Sequence, residues 1–131
     1  MPDVPAPRFN AITIDATDAR RLAAFWTALL DTEVETELDD GRYVFLAGRE
    51  GLPELCLQRV PEPKTSKNRM HIDVRVAGEG PWDMEARAAL IRSTVPVLVE
   101  AGATVVREEQ YDDVLGHVVM LDPEGNEFCV A

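Results

Sequence analysis

The stretch His117-Val118-Val119-Met120-Leu121-Asp122-Pro123-Glu124-Gly125-Asn126-Glu127-Phe128-Cys129-Val130-Ala131 reads as strand, tight turn, strand. Residues 118–121 are an unbroken run of strand-forming apolar side chains. In the turn, Pro123 presets φ, Gly125 and Asn126 tolerate positive φ, and Asp122 can accept from its own backbone two residues on. Beyond the turn, Phe128 and Val130 point one way and Glu127 and Cys129 the other. A hairpin this short cannot stand alone. It has to complete a sheet begun earlier in the chain.

Working outward from the hairpin, strands are expected over 104–109 and 114–121, with the last over 127–130. Before them, residues 82–92 read as a helix. Ser93-Thr94-Val95-Pro96 reads as the cap and first turn of a second short helix reaching Ala101, with Gly102 as its C′ residue. Residues 69–76 alternate, with Ile72, Val74 and Val76 on one face and His71, Asp73 and Arg75 on the other.

The first half repeats this order. Residues 9–16 alternate, with Ile12 and Ile14 opposed to Thr13 and Asp15. Thr17 or Asp18 can cap a helix whose Leu22, Phe25, Trp26, Leu29 and Leu30 fall on one face. Strands are expected over 33–38, 42–47 and 54–60, the first two joined by the hairpin turn Asp39-Asp40-Gly41. Residues 61–67 form a polar, proline-containing linker. Ala11-Ile12-Thr13-Ile14-Asp15 therefore aligns with His71-Ile72-Asp73-Val74-Arg75, and Glu54-Leu55-Cys56-Leu57 with Glu127-Phe128-Cys129-Val130.

The expected fold class is α+β: two tandem βαβββ modules, about 8–60 and 69–131, forming a curved mixed sheet with a central groove. Each module alone is too small to hold much core. Helices would cover the face carrying Ile12, Ile14, Ile72, Val74 and Val76. Strand parity puts Thr13, Asp15, Glu54, Gln58, His71, Asp73 and Arg75 on the groove face. A wet sheet face is also an ordinary way to finish an antiparallel sheet.

Composition narrows the function classes. The 131 residues are 46% hydrophobic and 28% charged, a globular balance. The net charge of −11 opposes nucleic acid and anionic membrane, which require a Lys/Arg excess. No stretch approaches the roughly 20 apolar residues of a membrane span, and Met1 to Arg8 lacks the apolar core of a signal peptide. Two cysteines, Cys56 and Cys129, make no disulfide framework, so a cytoplasmic chain with free thiols is expected. There is no phosphate-binding glycine loop, no nucleophile elbow and no zinc-protease helix.

The paired βαβββ order and the ending Val119-Met120-Leu121-Asp122-Pro123-Glu124-Gly125-Asn126-Glu127-Phe128 resemble the vicinal oxygen chelate superfamily of glyoxalase I, extradiol dioxygenases and bleomycin-resistance proteins. The stretches Gln58-Arg59-Val60-Pro61-Glu62-Pro63-Lys64 and Lys67-Asn68-Arg69-Met70-His71-Ile72-Asp73 are similar to its glyoxalase-like bacterial members. The resemblance spans about residues 8–131. It implies a groove that takes a small molecule, and a homodimer.

Metal-dependent members carry ligands at positions that fall here on Ala11, Cys56, His71 and Cys129. Ala11 has no donor, and Cys129 replaces the usual terminal carboxylate. A hard, oxygen-rich ion site is therefore broken, and no cofactor is expected. The alternative is Zn²⁺ on Cys56, His71 and Cys129. The resemblance thus implies a lyase or isomerase with an incomplete ligand set, or a sequestering protein of the bleomycin-resistance type. Thr13, Asp15, Gln58, His71, Asp73, Arg75 and Glu127 are the candidate ligand contacts, and His71 is the candidate general base. His117 and Trp82 are weaker candidates, and Trp26 is read as core.

Overall fold

The alternation and the helical apolar stripe read above each become an element with a buried face. The structure is a computed structural model that describes Ala6 and residues 9–131. The readings that touch Met1 to Arg8, including the start of the first module, lie outside the described residues. The chain divides into two compact units, Met1–Pro61 and Glu62–Ala131.

In the first unit, β1 (Ala11–Ala16) leads to α1 (Ala19–Leu30), followed by β2 (Val34–Leu38), β3 (Tyr43–Leu46) and β4 (Glu54–Arg59). The strand order is β1-β4-β3-β2, with β1 parallel to β4 and the other pairs antiparallel. Asp18 caps α1, its side chain accepting from Arg21 N. Leu22, Phe25 and Trp26 are buried, as their spacing predicts. Asp31 in the left-handed region ends the helix. Asp39, Asp40 and Gly41 all have positive φ and form the expected turn.

The second unit repeats the plan. β5 (Ile72–Val74) leads to α2 (Met84–Glu100), then β6 (Thr104–Tyr111), β7 (Val114–Leu121) and β8 (Glu127–Val130). The order is β5-β8-β7-β6, with β5 parallel to β8. Val118, Met120, Phe128 and Val130 form the buried centre with Ile91 of α2.

Three sequence readings need correction. First, α2 is one helix, with Pro96 inside it. Ser93 Oγ and Thr94 Oγ1 do not cap a new helix; both donate back to Leu90 O. Pro96 lies on the exposed side, while Ala88, Ile91 and Leu98 are buried on the other. The missing N–H therefore falls where water can serve the freed carbonyl. Second, β5 is three residues long rather than eight. Asn68 holds the preceding segment, its Nδ2 donating to Met70 O and its Oδ1 accepting from Glu127 N. Third, β1 begins at Ala11, so Phe9 precedes it.

The hairpin turn closes as read, with one change. Asp122 Oδ1 accepts from Glu124 N and from Asn126 N, both at 2.9 Å. Gly125 has a φ of 87°, whereas Asn126 is not left-handed and instead gives its Nδ2 to both Asp122 oxygens.

Candidate functional site

Register brings the polar residues of β5 and β8 together. Asp73 stands opposite Cys129, with Ile72 opposite Phe128 and Val74 opposite Val130. Because side chains alternate, Asp73 and Cys129 share the face opposite to Ile72, Val74, Phe128 and Val130. His71, one residue before β5, falls on the Asp73 side, and Glu127 on the Cys129 side. Farther across the sheet, Cys129 pairs with Val119 and Val119 with Arg107.

His71 is the hub of this face. Its Nδ1 lies 3.6 Å from Cys129 Sγ and 3.3 Å from Asp73 Oδ1. The donor atoms of His71, Asp73 and Cys129 all lie within 4.8 Å of one another. His71 and Asp73 are exposed, while Cys129 is 4% exposed. Burial, followed by the charge and hydrogen bond of Asp73, pushes the Cys129 thiol up to about 11. Glu127 meets Lys67 Nζ at 2.9 Å, and this hydrogen bond holds its carboxyl below the usual range.

The first unit carries the same layout with different chemistry. Thr13 stands opposite Cys56, as Asp73 does opposite Cys129. Cys56 is also buried, which raises its thiol, and hydrogen bonds from the Thr13 side chain and the Val44 backbone pull it back down. Ala11 takes the place of His71. Asp15 stands opposite Gln58, the first exposed and the second half-buried.

The structure thus gathers His71, Asp73 and Glu127 on one face of the second unit, and places Thr13, Asp15 and Gln58 in the first. Arg75 turns elsewhere. It pairs with Glu79 at 3.1 Å and lies over the Trp82 ring at 5.3 Å. The partner of Asp73 is His71. Trp82 donates Nε1 to Gly78 O just ahead of α2, which makes it a staple of the helix start. Trp26 is core, at 1% exposed. His117 is half-buried, and its Nδ1 lies 2.5 Å from the Tyr111 hydroxyl.

Sequence reading missed the pairing of Cys129 with Asp73 and the roles of Lys67 and Asn68. The first was available, because aligning the two halves and pairing their first and last strands puts 73 beside 129. The second was not, since both residues lie in the irregular segment before β5.

Two consecutive βαβββ units, each with a parallel pair between its first and last strands, define the architecture of the vicinal oxygen chelate superfamily. Residues 11–131 match the Glyoxalase-like domain, and the chain belongs to that family. No curated protein matches it. Among solved structures it is similar to a glyoxalase/bleomycin resistance protein/dioxygenase family enzyme from Burkholderia phytofirmans PsJN, with 18% identity and a TM-score of 0.69, covering 92% of this chain and 94% of that one. A mutant of the genomically encoded fosfomycin resistance protein from Listeria monocytogenes, complexed with Mn(II) and 1S,2S-dihydroxypropylphosphonic acid, has 12% identity and a TM-score of 0.69, covering 95% and 89%. Lactoylglutathione lyase from Agrobacterium tumefaciens has 15% identity and a TM-score of 0.59, covering 97% and 94%. At these identities the likeness is one of fold.

The resemblance assigns metal ligands to four positions, 11, 56, 71 and 129, and three of them carry no hard donor. Ala11 supplies no donor atom. The buried sulfurs at 56 and 129 are soft donors where oxygen is needed.

Proposed function

We propose that this chain binds a small organic molecule without the family's usual hard divalent ion. His71, Asp73 and Glu127 are its polar contacts on the second module; the first module carries Thr13, Asp15 and Gln58 on its own sheet. The observation that carries this reading is the convergence of His71, Asp73 and Cys129 on one sheet face. An imidazole, a carboxylate and a buried thiol on one sheet face supply the few convergent polar groups that a binding site uses.

The face is suited to lyase or isomerase chemistry of the kind named in the Agrobacterium lyase. His71 has Nδ1 turned to Asp73 and Cys129, which leaves Nε2 directed away from them to take a proton from a carbon acid. The second reading is sequestration without turnover, as a resistance protein would do. It is favoured by Ala11, because binding needs shape and a few polar anchors rather than a full ligand set. Among the described residues no helix is long and apolar enough to cross a membrane. Both cysteines are free, which suits a reducing cytoplasm, and the homodimer we infer rests on the family resemblance alone.

A thermal-shift screen with 2-oxo compounds and aromatic antibiotics tests the reading, because a ligand selective for the folded state raises Tm. At least one class should raise Tm in the wild type and do so less in His71→Ala. Conversion of that compound, lost in His71→Ala with the fold intact, selects the enzyme. Binding with no product selects sequestration. If no compound of either class moves Tm, the reading fails.

A further inference from the structure

We propose that the second unit alone holds a soft divalent ion of the Zn²⁺ class, on Cys129 Sγ, His71 Nδ1 and the Asp73 carboxylate, with a fourth position open to water or another oxygen ligand. This set differs from the family positions. It adds Asp73, needs neither Ala11 nor Cys56, and draws on three residues of one sheet face.

Geometry is the first support. Zinc bonds of about 2.3 Å to sulfur and about 2.0–2.2 Å to nitrogen and oxygen, at tetrahedral angles, give edges of roughly 3.6 Å for N···S and 3.4 Å for N···O. The observed edges are 3.6 Å between His71 Nδ1 and Cys129 Sγ and 3.3 Å between His71 Nδ1 and Asp73 Oδ1. A single imidazole nitrogen faces both other donors, as it would toward a shared ion. Exposure follows the same logic: Cys129 is buried, while His71 and Asp73 reach solvent, so an ion would have an entry path and an outer position for exchange.

The internal repeat supplies the second support. Cys56 occupies the same register position in the first unit, also buried, and a threonine hydroxyl there satisfies its thiol. At the equivalent places beside Cys129, Thr13 becomes Asp73 and Ala11 becomes His71. Each change adds a metal donor beside the same sulfur. One thiol proton is released as the ion binds.

The inference does not require the small-molecule reading, since the ion is titrated with no organic ligand present. Untagged protein stripped with chelator is titrated with Zn²⁺ by calorimetry and with Co²⁺ by near-ultraviolet absorbance. One ion per chain and a thiolate-to-cobalt charge-transfer band are expected. Asp73→Asn and Cys129→Ser should each weaken binding at least ~10-fold, and Cys56→Ala should leave it unchanged. Circular dichroism of the stripped proteins reports folding, and if Cys129→Ser does not fold, the exposed Asp73→Asn decides. The absence of a stoichiometric ion overturns the proposal. So does binding that survives either ligand substitution, or binding that disappears in Cys56→Ala.

Discussion

Cys129 and Cys56 occupy the same register position in two copies of one plan, and their neighbours set them apart. Beside Cys129, burial and the Asp73 carboxylate raise the thiol from an ordinary 9.0 to about 11. An acid whose folded value is raised stabilises the fold below its unfolded value and loses that contribution as pH rises toward the folded one. Metal-free protein should therefore lose stability from about pH 9 to about 11, measured by urea unfolding in chelator. Cys129→Ala should flatten this slope. The slope would remain in part, because burial raises Cys56 as well. Asp122 is a second residue whose effect is local and large. It is 3% exposed, and its carboxylate serves Glu124 N, Asn126 N and Asn126 Nδ2. Asp122→Ala should cost about 1–2 kcal/mol by leaving half-buried donors unpaired, read from urea midpoints at unchanged m.

At the scale of elements, α2 is held at both ends and at one point along its length. Asp83 caps it, accepting from Glu85 N and Ala86 N. At the far end Ala103 N bonds Leu98 O and Gly102 N bonds Val99 O, the paired bonds of a Schellman turn. Gly102 has a φ of 112°, and a Cβ there would stand 3.2 Å from Pro123 Cγ. Gly102→Ala should therefore destabilise by about 1–2 kcal/mol, from backbone strain and the tight contact together. Between the ends, buried Arg87 gives Nη1 to Gly116 O at 2.7 Å and lies over the Trp82 ring, tying α2 to β7. The C-terminal glycine was legible in sequence because its cause is local. The continuity of α2 through Pro96 was not, because Ser93-Thr94-Val95-Pro96 is a sound local start signal. It is outvoted by Ala88, Ile91 and Leu98, whose burial is a tertiary fact. Strand existence was likewise legible from alternation, while the short span of β5 was not. Asn68 ends it through bonds that no periodicity encodes.

At the scale of the whole molecule, the duplication turns one half into a control for the other. The alignment of 11–15 with 71–75 and of 54–57 with 127–130 was readable from residue types alone. The structure supports it by pairing Thr13 with Cys56 and Asp73 with Cys129. The three-donor cluster was only half visible, since parity placed His71 and Asp73 together but the sequence does not measure how closely a side chain from another strand approaches them. If two substitutions distinguish an inert cysteine position from an ion-binding one, installing them in the first unit should transfer the property. Ala11→His with Thr13→Asp places an imidazole and a carboxylate at the positions that His71 and Asp73 occupy beside Cys129. The double variant should bind two Co²⁺ per chain where the wild type binds one, with roughly twice the thiolate-to-cobalt absorbance. Adding Cys56→Ala should return it to one. Each single substitution should stay near one, because two donors hold such an ion far more weakly than three. A double variant that still binds one ion would mean that the β5–β8 face contributes something besides those three side chains. Lys67, which pairs with Glu127, and Arg107, whose charge acts on Cys129, would be the next residues to exchange.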